Sequence, residues 1–120
     1  MISPNDLAQE RALLLEAYRD FNARKLEEVL ARLHPDVEWA NGVEGGHVFG
    51  RDGVRAYWTR QWAVLDPRVE PVAIGPNEAG GLTVEVHQVV RDLQGVVLVD
   101  TTVHHAYRFA GGLIQRMDIV

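Results

Sequence analysis

Two residues in this chain are placed to do acid–base chemistry, His105 and Tyr18. A neutral imidazole in an apolar pocket can donate to an oxyanion or accept a proton near neutral pH. A tyrosine hydroxyl beside it can share that hydrogen bond. Each has a plainer alternative. His105 can be a buried histidine bonded to a backbone carbonyl or to Tyr18, and Tyr18 can be core on the apolar stripe of a helix. Other chemistries find no support. There is no cysteine, which excludes disulfides, thiolate catalysis and thiolate zinc sites. Of the five histidines, His34, His47, His87, His104 and His105, the adjacent last two point to opposite sides of a strand and cannot share a metal. No His-x-His spacing occurs, and no metal site is expected. Gly42, Gly45, Gly46 and Gly50 lack the strand and helix context of a phosphate loop, and no cofactor is expected.

The elements that must hold these residues can be read from periodicity. Ser3-Pro4-Asn5-Asp6 has the form of a helix start with a capping box. Leu7, Leu14, Tyr18 and Phe21 continue that helix to about residue 23, and Leu26, Val29, Leu30 and Leu33 mark a second. His34-Pro35 should end it, because a residue before proline is pushed out of the helical region. Val37 to Asn41 alternates as a short strand, and Gly42 to Gly50 reads as a loop. Asp52 can cap a third helix with Val54, Tyr57, Trp58, Trp62 and Leu65 on its buried side. From there the period becomes two. Val69 to Ile74 is an edge strand because it contains Pro71. Leu82 to Arg91 and Val96 to Phe109 are long strands joined by a tight turn, and Leu113 to Val120 is the last strand.

Pairing Asp92 with Gly95 fixes a register. Gln88 then shares a face with Val84, Val86, Val90, Val97, Val99, Thr101, Val103, His105 and Tyr107. This mostly apolar face should cover the helices and line a pocket. A slip of one residue would exchange His105 for His104. Trp39, Trp58, Trp62, Tyr107 and Met117 are expected as pocket wall, with Asn41 and His47 toward its mouth. The opposite face puts His87 across from Asp100, with Val89 and Leu98 as an apolar centre. Such a face suits a homodimer interface better than a catalytic dyad.

A chain of 120 residues predicts one domain, 1–120, and 47% hydrophobic content suits a globular core. The net charge of −5 argues against nucleic acid. Eleven arginines against one lysine are scattered, as the codon bias of a GC-rich bacterial genome would leave them. No apolar run is long enough for a membrane span, and the N-terminus has no signal-peptide pattern, so a cytoplasmic protein is expected.

Leu33-His34-Pro35-Asp36-Val37-Glu38-Trp39, followed by Phe49-Gly50-Arg51-Asp52-Gly53-Val54, resembles the signature of the SnoaL-like and ketosteroid-isomerase-like proteins of the nuclear-transport-factor-2-like superfamily. The resemblance covers essentially the whole chain. It implies an α+β cone in which three helices pack on a curved, mostly antiparallel sheet around one internal apolar pocket. It also implies a histidine facing the cavity four positions before an aromatic residue that precedes a glycine turn. His105, Phe109 and Ala110-Gly111-Gly112 fit that pattern. In ketosteroid isomerases the matching position holds an aspartate of the oxyanion hole, whose tyrosine falls near Ala17 or Tyr18. The isomerase's base falls at Trp39 or Asn41, neither of which takes a proton, so the isomerase's set is mostly missing. Two readings result. The chain is an isomerase, cyclase or hydratase acting on an apolar ring compound through His105, helped by Tyr18, Gln88 or Asn41. Alternatively it is a dimeric ligand-binding or interaction module without chemistry.

Overall fold

The computed structural model describes residues 7–120. The expected capping box at Ser3 to Asp6 lies outside them. Three helices and six strands follow in the order α1 (Ala8–Asn22), α2 (Leu26–Ala31), β1 (Leu33–Ala40), β2 (His47–Phe49), α3 (Gly50–Val64), β3 (Leu65–Pro76), β4 (Leu82–Asp92), β5 (Val97–Ala110) and β6 (Leu113–Ile119). The strands form one open sheet in the order β2-β1-β6-β5-β4-β3. Every pairing is antiparallel except β1 with β6. Helices cover one face of this curved sheet, as expected for an α+β cone.

Several boundaries differ from the sequence expectation, each for a local reason. The second helix stops at Ala31, and His34-Pro35 lie inside β1 rather than at the helix end. The Ile114 amide donates to the Arg32 carbonyl at 3.0 Å, so β6 captures the chain as soon as the helix stops. The residue before Pro35 is already biased toward extended backbone, which extends the strand backward. The Gly42 to Gly50 loop contains β2, paired to β1 through Trp39 with Val48. Asp52 does not cap α3. Phe49 stands at the cap position, and Asp52 sits in the first turn, paired with Arg55 at 2.6 Å. Leu65 belongs to β3, whose first pair is Leu65 with Asp92. Pro71 lies on this edge strand beside a bulge, where its missing N–H costs no ladder bond.

The central hairpin differs in register by two residues. The Asp92 amide donates to the Val96 carbonyl at 2.9 Å, leaving Leu93, Gln94 and Gly95 as a three-residue loop with Gly95 at φ 92°. Val90 then faces Val99 and Arg91 faces Val97, so Leu98 is an unpaired bulge residue. His87 consequently faces Thr102, not Asp100, and reaches Asp100 diagonally at 2.7 Å. A two-residue shift keeps side-chain parity, so His105 still faces inward opposite Val84 and His104 outward opposite Glu85.

The core is continuous from Leu14, Val29 and Leu30 on the helices to Leu33, Val37, Val84, Val86 and Ile114 on the sheet. The buried Asp20 of α1 is paired with Arg32 at 2.7 Å. Asn22 grips β3 from the helix side: its Nδ2 donates to the Val69 carbonyl at 2.8 Å, and the Val69 amide donates to its Oδ1 at 2.9 Å. The β3–β4 turn is held by Asn77, whose Oδ1 accepts from the Ala79 and Gly81 amides. Gly81 lies directly against the Tyr107 carbonyl, far inside the distance any Cβ tolerates. Gly81→Ala is therefore expected to lower stability by about 1–3 kcal/mol in urea unfolding. Gly75→Ala, where a methyl meets open space, should leave it within about 0.5 kcal/mol.

Candidate functional site

Between the helices and the sheet lies a cavity of about 380 Å³. Its lining has no charged side chain. α1 contributes Tyr18 and Phe21, α3 contributes Tyr57, Trp58 and Gln61, and β1 contributes Trp39. The long strands bring Gln88, Val103, His105 and Tyr107, and β6 brings Met117. The lining residues Val43, Val99 and Ile119 are exposed and mark the mouth.

Helix α1 and strand β5 meet inside this cavity through three polar groups. The Tyr18 hydroxyl lies 2.8 Å from His105 Nδ1 and 2.7 Å from the Tyr107 hydroxyl. The Tyr18 and His105 rings are nearly parallel at 6.0 Å, and Tyr107 meets Tyr18 edge-on at 6.3 Å. Behind them Trp39 packs edge-on to both Tyr107 and Trp58, which fixes the ring positions. Burial raises the pKa of both tyrosines, and the proximity of Tyr107 raises that of Tyr18 further, so both hydroxyls stay protonated. Burial, followed by the nearby His104, pushes His105 down to about 4. The site is thus neutral at pH 7.

A shared hydroxyl has one proton, so Tyr18 donates to one neighbour and accepts from the other. If it donates to Nδ1, it accepts from Tyr107, and His105 carries its proton on Nε2 as a donor to the cavity. If Nδ1 carries the proton and donates to Tyr18, then Tyr18 donates to Tyr107. In that form Nε2 is an acceptor. Either direction satisfies the buried groups without creating charge.

Eight of the residues expected from the sequence meet at this cavity: His105, Tyr18, Trp39, Trp58, Gln88, Val103, Tyr107 and Met117. Three do not. The Asn41 Oδ1 accepts from the Val43 and Glu44 amides at 3.0 and 2.9 Å, so its side chain is used in shaping the loop. Trp62 lies one turn beyond Trp58, stacked on it at 6.0 Å and flanked by Phe21 and Arg24, as a second layer behind the wall. Thr101 is exposed, because β5 runs past the end of β6 at Ile119 and its outer half leaves the shelter of the helices. His47 bonds to Asp118 at 2.8 Å rather than facing the mouth, and among the described residues no cluster of three ligand side chains could hold a metal. Phe21, Tyr57 and Gln61 were not singled out as lining. Phe21 and Tyr57 lie on the apolar helix stripes, and Gln61 follows Tyr57 by one turn on the same side of α3.

A family model described as the SnoaL-like domain matches residues 14–117. No curated protein matches the sequence significantly. Solved structures share the fold at low identity. TerC co-crystallised with polyporic acid is 24% identical, with 93% of this chain and 90% of that one covered and a TM-score of 0.81. An NTF2-like protein of unknown function from Burkholderia pseudomallei is 24% identical, with coverages of 93% and 89% and a TM-score of 0.80. Rv0760c from Mycobacterium tuberculosis, in complex with estradiol-17beta-hemisuccinate, is 19% identical, with coverages of 91% and 90% and a TM-score of 0.77.

The low value at His105 has a consequence for stability. The unfolded chain takes up the proton near pH 6.5 and the folded chain only near pH 4. Stability contributed by keeping this ring neutral is therefore full above the unfolded value and declines as pH falls from 6.5 toward 4, by roughly 3 kcal/mol in all. Urea unfolding at pH 7 and pH 4.5 should show this loss, and His105→Gln should remove most of the His105-dependent part. Ring-carbon NMR should place the His105 midpoint near 4.

Proposed function

The chain belongs to the SnoaL-like domain family, and on that footing we propose that it binds a small, neutral, apolar ring compound and polarises one of its oxygens through His105 and Tyr18. The observation that carries this reading is the Tyr107–Tyr18–His105 chain inside an otherwise apolar cavity. A histidine with its value near 4 is a poor general base at pH 7. The same ring, kept neutral, is a good hydrogen-bond donor to a carbonyl or enolate oxygen. The reaction that fits is proton movement next to a carbonyl, as in isomerisation or cyclisation. His105 Nε2–H holds the oxygen on which negative charge develops, and Tyr18 and Tyr107 stand behind the imidazole. Solvent entering by the cavity mouth takes the proton from the neighbouring carbon and returns one.

A specific observation favours a second reading, a ligand-binding module without chemistry. The carboxylates nearest the cavity strands, Glu38 and Asp118, both turn outward to Arg116, and none lines the cavity. One experiment separates the readings. α-Tetralone, an apolar cyclic ketone with exchangeable protons beside its carbonyl, is followed by NMR in heavy water. Catalysis predicts faster exchange with the wild type and a loss of about 10²–10⁴-fold in His105→Ala. Binding without any acceleration leaves the carrier reading. Absence of both binding and exchange removes the proposal.

We also propose that the chain works as a homodimer through the outer sheet face around His87, Val89, Leu98 and Asp100. Leu98 is 54% exposed on its bulge, and Val96 and Val97 beside it are exposed as well. A two-fold contact would cover them, each copy presenting the same patch. Light scattering should give twice the chain mass, and Leu98→Glu should return the monomer. A monomer at micromolar concentration overturns this.

A further inference from the structure

On the strands, the cavity's polar groups fall into two places, and His105 with Tyr107 occupies only one; α3 adds Tyr57 and Gln61. Gln88 on β4 also lines the cavity, is half-buried, and has no side-chain hydrogen bond to any described residue. Its strand neighbours are Val69 and Thr101, whereas His105 lies opposite Val84. Along the strands these positions are four residues apart, roughly 13 Å at ~3.3 Å per residue. Between them the pair of Val86 with Val103 fills the interval with apolar surface. The neighbouring wall is apolar too: Val69, held by Asn22, and Phe21 on the helix above.

We propose that Gln88 is a second polar anchor of this cavity, so that its ligand is an elongated apolar molecule with a hydrogen-bonding group at each end. One oxygen sits at His105 Nε2, whose ring Tyr18 holds from the Nδ1 side, and a hydroxyl or carbonyl about two fused or linked rings away meets the Gln88 amide. The proposal rests on the function read above and adds to it the length and polarity of the ligand. A primary amide both donates and accepts, so Gln88 takes either group. The Gln88 amide is open to water in the free protein, and a ligand group that bonds it replaces that water. An apolar ligand end there leaves the amide desolvated and unpaired, which gives discrimination rather than mere space.

The test uses a matched pair of probes, para-phenylphenol and para,para-biphenol, which differ only in the second hydroxyl. Affinities are measured by calorimetry on the whole protein. The wild type should prefer the biphenol by about 5–10-fold. Gln88→Leu should abolish that preference while keeping or improving the affinity for phenylphenol. Tyr18→Phe should weaken both probes alike and preserve the ratio. Equal affinities in the wild type, or a preference that survives in Gln88→Leu, overturn the second anchor and leave the His105 site standing. Failure of both probes to bind overturns both readings.

Discussion

The structure depends on keeping three buried polar groups satisfied around a space left unfilled by protein. A side chain packed into 380 Å³ would add core contacts that this fold forgoes. The cavity is held open by rings that brace one another: Trp39 against Trp58, Trp58 against Phe21, and Tyr107 against Trp39. A hydroxyl or imidazole in such surroundings costs free energy unless it is bonded. The Tyr18 hydroxyl satisfies two of them at once and ties the first helix to the long fifth strand, 87 positions away. Removing that one oxygen would leave His105 Nδ1 and the Tyr107 hydroxyl both short of a partner.

The surrounding fold serves this junction. Asn22, one turn past Tyr18, clamps the edge strand through two hydrogen bonds, so the helix cannot slide along the sheet. Asn77 and Gly81 hold the start of β4 against the Tyr107 backbone. The ladder bonds of β5 to both neighbours end where β6 ends, at the pair of His105 with Ile119. His105 therefore sits next to the end of the two-sided grip, whose last bond runs from the Val120 amide to the His104 carbonyl at 3.0 Å. Beyond that point the strand is free on one edge, and from Thr102 back to Val97 its residues are exposed.

Much of this arrangement was legible because strand parity has a period of two. The hairpin register expected from Asp92-Leu93-Gln94-Gly95 was two residues off, and an even shift keeps parity from Val99 onward, so His105 kept its inward face. Val97, beyond the Leu98 bulge and across from Arg91, did not keep the face expected for it. The resemblance read from the Leu33 to Trp39 segment agrees with the family match and the shared fold. What sequence did not show was where shelter ends. Thr101 has the right parity, but a strand pattern does not reveal that its neighbour strand stops four residues earlier. Trp62 has the right helical spacing, but periodicity cannot separate the first layer of a wall from the second. Asn41 was read from its place in a glycine-rich loop, where an Asx turn competes for the same side chain.

Charge in this molecule is segregated by the same parity. Glu38 and Arg116 are paired across β1 and β6, with Trp39 and Met117 next to them on the other face. One residue of offset therefore separates an ion-paired outer surface from a neutral interior. Arg116 takes Glu38 and Asp118 together, and its hydrogen bond holds the Asp118 carboxyl below its ordinary range. The formal charge of −5 is thus carried outside the cavity, whose lining has no ionised side chain at pH 7. An ionised ligand group inside would meet no opposite charge to offset its lost hydration, and in surroundings this apolar that cost is several kcal/mol. Neutral donors and acceptors suit the cavity: a carbonyl, a protonated phenol, an enol. Negative charge can form there only transiently, on an oxygen already held by His105, which Tyr18 braces from behind. That ties the choice of ligand and the choice of chemistry to one physical cause.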